Sequence, residues 1–285
     1  MKICRKRGNT LFVFSGQAIR ERTRKDGASV IILFIGDIFG QPGRDMLTAS
    51  MPSLRDRYRP DFVVANGENA AAGRGITFAT ADDIFRAGVD VITMGNHTWS
   101  RKEILNIIDA NPRLIRPANY PKGVPGKGRT VVEKNGMRLG VVNLMGRVYM
   151  DVQLDDPFQT ADRELQALKG QADAILIDFH AEATSEKLAL AMYTDGRAAA
   201  VIGTHTHVQT ADNRMLPKGT AFISDVGMTG PADGIIGMDA KIVLKKFTTS
   251  MPAQFEAAEG RAQLNAVVIT IRPDGLAKGI ERIVL

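Results

Sequence analysis

The four histidines of this 285-residue chain all follow short apolar runs, where the carboxyl ends of strands are expected. They are His97, His180, His205 and His207. Two other apolar runs lead to Asp37 and to Glu68 and Asn69, and Asn96 precedes the first histidine. In α/β proteins, ligand sites gather at the carboxyl ends of parallel strands, because the loops there vary over a rigid base. The pattern therefore predicts a metal centre built from these side chains.

The chemical types of these side chains restrict the metal. One aspartate, one glutamate, two asparagines and three or four histidines form a mixed oxygen and nitrogen set. Such a set suits manganese, iron or zinc better than calcium or magnesium. Six or seven ligands exceed the needs of one ion. Two ions that share a carboxylate would use them, and ion pairs about 3.5–4 Å apart are typical of phosphoryl-transfer sites. We therefore expect two transition-metal ions.

Each part of this pattern also has an ordinary structural explanation. His205 and His207 form an H-x-H sequence, which on a strand can place one histidine inside and one outside. Asn96 before His97 is compatible with a turn, and Glu68 precedes a segment compatible with a flexible glycine loop. Together these explanations require several strand ends to acquire metal-type side chains by chance. We therefore favour the metal centre.

From Val30 onward, short apolar runs alternate with longer amphipathic patterns. This alternation predicts βαβ units whose strands are buried on both faces. The predicted strands span residues 30–35, 62–65, 89–94, 139–144, 174–179 and 198–202. The predicted helices span residues 44–58, 80–87, 101–110, 161–169 and 185–192.

The last third of the chain has a different pattern. Predicted strands at residues 220–224, 266–271 and 281–284 are joined by loops rich in glycine and proline, with little helix between them. We expect these strands to form a second, more antiparallel sheet packed on the first. Residues 227–234 are predicted to be a long loop, either an ordinary surface connection or a loop that faces substrate.

The net positive charge is concentrated at the N-terminus. Residues 1–29 hold eight lysines and arginines against two acidic residues, and subtracting these from totals of 37 and 31 leaves 29 of each sign. We expect residues 1–29 to be a basic leader, either disordered or the product of a misassigned start, with Val30 as the true initiator. Residues 30–285 are expected to be one domain. Any RNA contact is expected through the leader.

Cysteine content and hydropathy indicate the compartment. Cys4 is the only cysteine, so disulfides are excluded within the chain and a reducing compartment, the cytoplasm, is expected. The apolar piece from Leu11 to Phe14 is shorter than the roughly 7–15 residues of a signal-peptide core. No apolar stretch reaches the roughly 18 residues of a membrane span. The sequence therefore predicts a protein without membrane association.

Seven ordered phrases of the sequence carry a resemblance to a known family. They are GD at 36–37, GENAA at 67–71, GNHTW at 95–99, RPANYP at 116–121, HAEATSEK at 180–187, THTHV at 204–208 and DVGMTGP at 225–231. Their order resembles the calcineurin-like metallophosphoesterase superfamily, and most closely its YmdB-like branch of cyclic-nucleotide phosphodiesterases. The resemblance runs from about Val30 to the C-terminus.

The resemblance implies an α/β fold, a four-layer α/β/β/α sandwich of two mixed sheets, with a dinuclear centre. Iron and manganese are the metals associated with this branch, and zinc is compatible with the ligands. Matched by motif, the ligands of the first ion would be Asp37, Glu68, Asn69 and His207. Those of the second ion would be Glu68, Asn96, His180 and His205. Glu68 would bridge the two ions.

The resemblance also implies a phosphodiesterase that hydrolyses small cyclic nucleotides, such as 2′,3′-cyclic AMP. A metal-bridging hydroxide would attack phosphorus, and His97 would act as the general acid. A phosphomonoesterase would share every ligand. A regulatory RNA-binding protein with a vestigial metal site is the alternative from another class, and the neutral body and complete ligand set oppose it. A homo-oligomer is compatible with the sequence.

Three positions depart from the wider superfamily. The opening D-x-H motif is Asp37-Ile38-Phe39 here, so the resemblance leaves Asn69 as the substitute ligand. Thr98 occupies the position of the carboxylate that usually follows Gly-Asn-His, so the partner that orients the acid is left open. The final motif also carries one extra residue before its first histidine.

Several further side chains near the motifs have two interpretations. Arg74, Arg147 and Lys187 could neutralise a phosphate, although an ordinary surface charge is the simpler explanation for each. Trp99 and Tyr149 could stack on a base, although single aromatic residues more often pack within the fold.

Overall fold

The computed structural model, which describes residues 29–285, has a strand at each predicted strand and a helix at four of the five predicted helices. The strands are β1 (Val30–Ile35), β2 (Asp37–Ile38), β3 (Phe62–Asn66), β4 (Val91–Thr93), β5 (Leu114–Ile115), β6 (Arg129–Lys134), β7 (Met137–Met145), β8 (Ala174–His180), β9 (Ala200–Thr204), β10 (Arg214–Met215), β11 (Ala221–Ile223), β12 (Met228–Pro231), β13 (Ala262–Gln263), β14 (Asn265–Ile271) and β15 (Ala277–Val284). The helices are α1 (Gly40–Tyr58), α2 (Phe78–Arg86), α3 (Pro157–Leu168), α4 (Thr184–Tyr193) and α5 (Ala240–Thr249).

Two six-stranded sheets pack face to face. The first has the order β15-β14-β1-β3-β4-β5, the second has the order β10-β11-β9-β8-β7-β6, and a small third sheet has the order β13-β12-β2. The first sheet is parallel from β1 to β5 and antiparallel at its β14 and β15 end. The second sheet is parallel in its centre and antiparallel at both edges. Helices α1 and α2 pack on the outer face of the first sheet, and α3 and α4 on that of the second. The predicted four-layer sandwich of two mixed sheets is confirmed.

The layer between the two sheets changes from apolar to polar along the strands. Its lower part is a buried core that includes Val64, Val91, Val141, Leu176 and Ile202. Two residues further along each strand, the same inward-facing positions carry buried polar side chains, because side chains alternate along a strand. These are Asn66, Thr93, Asn143, Asp178 and Thr204, which we call the polar layer. The polar layer lies directly beneath the strand ends that carry the predicted ligands.

The prediction that the last third forms a separate second sheet is wrong. β14 pairs antiparallel with β1, from Val30 opposite Ile271, and so extends the first sheet. β11 instead pairs parallel with β9 in the second sheet. The strand positions were predictable from alternation, but the partner of each strand depends on contacts far apart in the sequence.

The predicted loop at residues 227–234 is also wrong over half its length. Residues 228–231 form the buried strand β12, which pairs with β2. The carbonyl of Gly227 accepts a hydrogen bond from the Asp37 amide. A β-carbon on Gly36 would lie 2.0 Å from the Gly227 carbonyl oxygen. Glycine is therefore required for this close approach, and these glycines serve strand packing rather than a loop.

One helix prediction fails, and one helix was missed. Residues 101–110 contain only a 3₁₀ turn, Lys102–Asn106. Pro112 disfavours helix at the residue before it, and Asp109 accepts a hydrogen bond from the Gly126 amide, 17 residues further along the chain. Helix α5 was not predicted. It buries only Val243 and leaves the large apolar side chains of Leu244 and Phe247 exposed.

The predictions for residues 1–28, including Cys4, lie outside the described residues. Among the helices of residues 29–285, none is long and apolar enough to cross a membrane.

Candidate metal centre

The predicted ligands meet at one end of the sandwich and come from both large sheets. Glu68 and Asn69 follow β3, and Asn96 follows β4, in the first sheet. In the second sheet, His180 is the last residue of β8, while His205 and His207 follow β9. Asp37 begins β2. The contacts described below join all seven predicted ligands and His97 in one cluster.

The centre of the cluster is the Nε2 atom of His180. It lies 2.9 Å from Asn96 Oδ1, 3.0 Å from His205 Nδ1 and 3.2 Å from Glu68 Oε1. Glu68, His180 and His205 thus offer ligand atoms that all lie within 4.8 Å of one another. An amide oxygen and a carboxylate oxygen are both acceptors. Acceptors that face one another at these distances require a proton or a cation between them.

In His180, His205 and His207, the ring nitrogen that faces away from the cluster contacts an oxygen. His207 Nδ1 donates to the Ile236 carbonyl at 2.9 Å, and His205 Nε2 lies 3.2 Å from Glu182 Oε2. His180 Nδ1 lies 2.9 Å from Thr204 Oγ1. Outer contacts of this kind fix the tautomer and leave the inner nitrogen free to bind a metal.

Asp37 supplies an unsatisfied acceptor at the same place. The side chain is fully buried, and Oδ2 accepts a hydrogen bond from the His205 amide at 3.2 Å. Oδ1 has no hydrogen-bond partner. A buried carboxylate oxygen without a partner is costly, and a bound cation would remove that cost. This orphaned oxygen and the inward-facing imidazoles fit a transition-metal site.

The electrostatics of the cluster favour added positive charge. Burial alone would lower the pKa of His180, but the charges of Glu68, Asp37 and Asp178 outweigh burial and raise it to about 9. Burial, with the charge of His180, lowers the pKa of His205 to about 3. Burial also lowers the pKa of His207. Neutral imidazole is the form that binds metals, so His205 and His207 are in the competent state at neutral pH.

The partner of His97, left open by the sequence, is Asn69. His97 Nδ1 lies 2.7 Å from Asn69 Oδ1, and the His97 amide donates to Glu68 Oε2 at 3.0 Å. The Asn69 amide nitrogen lies 3.1 Å from His207 Nε2 and donates to Glu68 Oε1 at 3.2 Å. An amide oxygen only accepts hydrogen bonds, so the Nδ1 of His97 carries a proton and its Nε2 is left for substrate.

Gly95 allows these groups to come together. A β-carbon at this position would lie 2.3 Å from His180 Cδ2 and 2.4 Å from Glu68 Oε2. No other residue fits beside the two ligands without displacing them. The glycine of the Gly-Asn-His phrase is therefore a packing requirement of the site.

A buried relay that the sequence analysis missed orients His180. Thr204 Oγ1 donates to Asp178 Oδ1 at 2.7 Å and therefore accepts from His180 Nδ1. Asp178 also accepts from Thr93 Oγ1 and from Asn66 Nδ2, and Asn66 Oδ1 accepts from the Glu68 amide at 3.1 Å. Burial raises the pKa of Asp178 to about 6. Its position two residues before His180, on the same strand face, is the signal that could have revealed it.

We expect Thr204→Val to weaken metal binding about 10–100-fold, because losing an outer partner of a ligating histidine typically has this effect. Thr204→Ser keeps the hydroxyl and should restore most of the affinity. Competition titrations with a chelator measure both variants against the parent protein. Equal affinity of the valine variant and the parent would show that the relay does not orient His180.

The turn that carries His205 and His207 has a strained backbone, and a hydrogen bond from its middle residue to a buried aspartate stabilises it. His205 has φ 107° and His207 has φ 68°, values that side chains other than glycine rarely adopt. The Thr206 amide between them donates to Asp225 Oδ2 at 2.9 Å. That same oxygen accepts from Lys187 Nζ at 2.8 Å, and both side chains are 1% exposed. Lys187 is thus a buried structural cation, and neither predicted role for it, phosphate contact or surface charge, is correct.

We expect Lys187→Met to destabilise the fold by about 3–5 kcal/mol, because it leaves the Asp225 carboxylate buried without its partner. The double variant Lys187→Met/Asp225→Asn removes both charges and should recover part of that loss. Urea unfolding curves of the three proteins measure the effect. A single variant as stable as the parent would contradict the buttressing role.

The remaining side chains near the motifs differ in burial. Arg147 is half exposed and pairs with Asp156 at 2.9 Å, and Arg74 is exposed. Trp99 packs edge-on against Tyr120, with ring centroids 5.7 Å apart. Tyr149 is 86% exposed, so it does not pack in the fold and the packing interpretation is wrong for it. Its loop adjoins the site, because the Gly146 amide donates to the His180 carbonyl at 2.9 Å.

The fold and the site together define a metallophosphoesterase-type protein, a two-sheet sandwich with a mixed carboxylate, amide and imidazole centre at its strand ends. The chain belongs to the YmdB-like protein family, whose model matches residues 33–283. This confirms the family indicated by the seven phrases.

Known proteins resemble the chain over most of its length. It is 58% identical over 240 residues to the 2′,3′-cyclic-nucleotide 2′-phosphodiesterase of Bacillus subtilis, covering 84% of this chain and 90% of the relative. A Thermus thermophilus crystal structure matches with a TM-score of 0.85 and 45% identity, over 90% of this chain and 99% of the other. The crystal structure of a Mycoplasma pneumoniae phosphatase also matches with a TM-score of 0.85, at 34% identity, over 91% and 94% of the chains.

Proposed function

We propose that this protein is a metal-dependent phosphodiesterase that hydrolyses the 2′,3′-cyclic phosphate of small nucleotides. The observation that carries the proposal is the convergence of inward-facing acceptors on His180 Nε2, beside a histidine that remains accessible. The 58% identity to a 2′,3′-cyclic-nucleotide 2′-phosphodiesterase supports the substrate class.

We further propose two ions per chain, iron or manganese, held in the two sets expected from the family motifs. The contacts of Asn96, His180 and His205 with one another and with Glu68 support the second set. The proximity of Asn69 to Glu68 and His207 is compatible with the first set, although its amide nitrogen makes both contacts and metal binding through Oδ1 would require the amide to turn over. Glu68 touches both sets, in agreement with a bridging role. When bound, such ions lower the pKa of water and neutralise phosphate charge.

His97 is the residue placed to handle the proton of the leaving group. Its side chain is 21% exposed, and its Nδ1 is held by Asn69, so Nε2 is the nitrogen that can donate to substrate. In the proposed reaction a water oxygen bonds to phosphorus and gives up one proton to solvent, and the P–O2′ bond breaks. His97 would enter this step as the imidazolium, keep its Nδ1 proton on Asn69 and pass its Nε2 proton to O2′. The products are a nucleoside 3′-phosphate and a free 2′-hydroxyl.

Elemental analysis and a substrate panel test the proposal together. Gently purified protein should approach two transition-metal ions per chain and should hydrolyse 2′,3′-cyclic AMP to the 3′-phosphate. Removal of the metals with a chelator should abolish turnover, and added Mn²⁺ or Fe²⁺ should restore it. A metal-loaded protein that hydrolyses only phosphomonoesters would instead favour the phosphomonoesterase alternative.

We also expect deletion of residues 1–29 to leave folding and catalysis intact. Every candidate ligand lies between residues 37 and 207, and the described sheet begins at Val30. The truncated protein should keep its melting temperature and its kcat/KM for 2′,3′-cyclic AMP within about twofold of the parent. Loss of turnover on truncation would place part of the catalytic domain within residues 1–29.

A further inference from the structure

A cavity of about 600 Å³ lies on the flank of the sandwich, along the edge strand β6 and beside α3. Its volume falls within the range of about 300–1,000 Å³ that is typical of ligand sites. Five cationic side chains and two anionic ones line it, a formal surplus of three positive charges. The cations are Arg116, Lys122, Lys127, Arg129 and Arg163. We call this cavity the basic groove. A concave surface of one sign concentrates its potential and attracts ligands of the opposite sign.

A buried cation forms part of the groove wall. Arg116 is only 7% exposed, and its guanidinium donates to the carbonyls of Pro117, Val124 and Pro125 at 2.7–3.0 Å. Among the described residues, no carboxylate contacts it. Asp109 and Glu164 attract this charge without forming an ion pair with it. A buried charge that no counter-charge contacts is costly. An anion bound in the groove would compensate it.

The other cations of the groove are also incompletely neutralised. Arg129 and Arg163 share a single carboxylate, Glu164. Lys122 and Lys127 are exposed and have no ion-pair partner within residues 29–285. The charge surplus therefore lies mainly at the two lysines and Arg116, which follow β5 in the chain.

One end of the groove adjoins the metal centre. Tyr120 lines the groove and packs edge-on against Trp99, which is two residues beyond His97. On the other side, Asp155 lines the groove, and its neighbour Asp156 pairs with Arg147 of the exposed Tyr149 loop. Both contacts connect the mouth of the groove to the rim of the site.

We propose that the basic groove binds the sugar-phosphate chain of a single-stranded oligoribonucleotide whose 2′,3′-cyclic phosphate end enters the metal centre. This inference rests on the proposed function and extends its substrate class. A cyclic phosphate arises at an RNA 3′ end when a 2′-hydroxyl attacks the adjoining phosphodiester and expels a 5′-hydroxyl. A mononucleotide is the shortest such end and carries no further phosphates for the groove. The class of reaction that supplies the substrate is therefore RNA cleavage by internal transesterification, in which no water is consumed.

A comparison of two substrates tests the groove. The kcat/KM for 2′,3′-cyclic AMP is compared with that for a tetraribonucleotide that ends in a 2′,3′-cyclic phosphate, at several salt concentrations. The parent protein should prefer the tetranucleotide in kcat/KM by about tenfold at low salt, and the preference should fall as salt rises, with a slope near 0.7 per phosphate contacted. Lys122→Glu/Lys127→Glu should remove that preference. Lys245→Glu/Lys278→Glu, with the same charge change on other exposed surfaces, should retain it.

Binding separates this inference from the proposed function. Fluorescence anisotropy with a tetranucleotide that ends in a 3′-phosphate measures the groove without turnover. Binding that is at least tenfold weaker in Lys122→Glu/Lys127→Glu than in the lysine control supports the groove, even if neither cyclic substrate is hydrolysed. Equal binding by both variants, or a parent with no preference and no salt slope, overturns it. If metal-loaded protein hydrolyses neither cyclic substrate, the proposed function is contradicted and the inference on groove binding is not.

Discussion

Replacing His97 with alanine should slow hydrolysis of 2′,3′-cyclic AMP by about 10²–10⁴-fold, the usual contribution of a positioned general acid. The ribose O2′ leaves as a poor alkoxide unless it receives a proton. Nitrophenolate is a good leaving group and needs no such proton. The activity of the variant on bis-nitrophenyl phosphate should therefore fall much less. The ratio of the two losses, measured as kcat/KM, is the quantity that reports on the acid.

Metal content distinguishes this role from a structural one. His97 contacts Asn69 and Glu68 but none of the three other histidines, so the alanine variant should retain both ions. Equal losses on the two substrates, with the ions still bound, would mean that His97 positions phosphate or stabilises charge and delivers no proton.

Replacing Glu68 with alanine should empty both metal positions and bring turnover to background. Glu68 contacts His97, Asn69 and His180, so it joins both proposed ligand sets. Metal sites lose affinity steeply when a first ligand is removed, and a shared ligand serves two ions at once. Elemental analysis after dialysis against metal-free buffer measures occupancy, and a cyclic-nucleotide assay measures turnover.

His207→Ala is the matched control, because His207 belongs only to the first set and is held by Asn69 and Ile236. It should lose one ion and keep the other. A Glu68→Ala protein with two ions and full activity would remove the bridging assignment. Loss of both ions from His207→Ala as well would show that the two positions are not separable.

The elements that the sequence predicts well are those whose local pattern decides them. β1 and β8 are short apolar runs buried on both faces, and the ligands at their ends stand where the pattern placed them. β14 shows the limit, since its alternation predicts a strand but only the pairing of Val30 with Ile271 decides its sheet. Helix α5 shows another limit, because its sequence does not reveal that Leu244 and Phe247 stay exposed while only Val243 is buried.

For the site, residue type and position at a strand end pointed to the candidate ligands that the structure brings together, but not to the groups that hold them. Lys187 illustrates the reason, because a lysine beside a histidine motif looks the same in sequence whether it faces phosphate or pairs with Asp225. The partner of His97 was hidden for a similar reason, since Asn69 stood as a ligand substitute in the motif. Such roles depend on distances between residues far apart in the chain.

The division of the donors between the two sheets has a consequence for stability. Glu68 and Asn96 belong to one sheet, while His180 and His205 belong to the other, so neither sheet alone presents a complete binding site. An ion that binds only the closed sandwich lowers the free energy of that state relative to the unfolded chain, by about 2.7 kcal/mol when its concentration is 100 times the dissociation constant. With the proposed ligand sets, metal availability in the surroundings would set how firmly the two halves of this protein stay together, and starvation for metal would reduce its abundance as well as its activity.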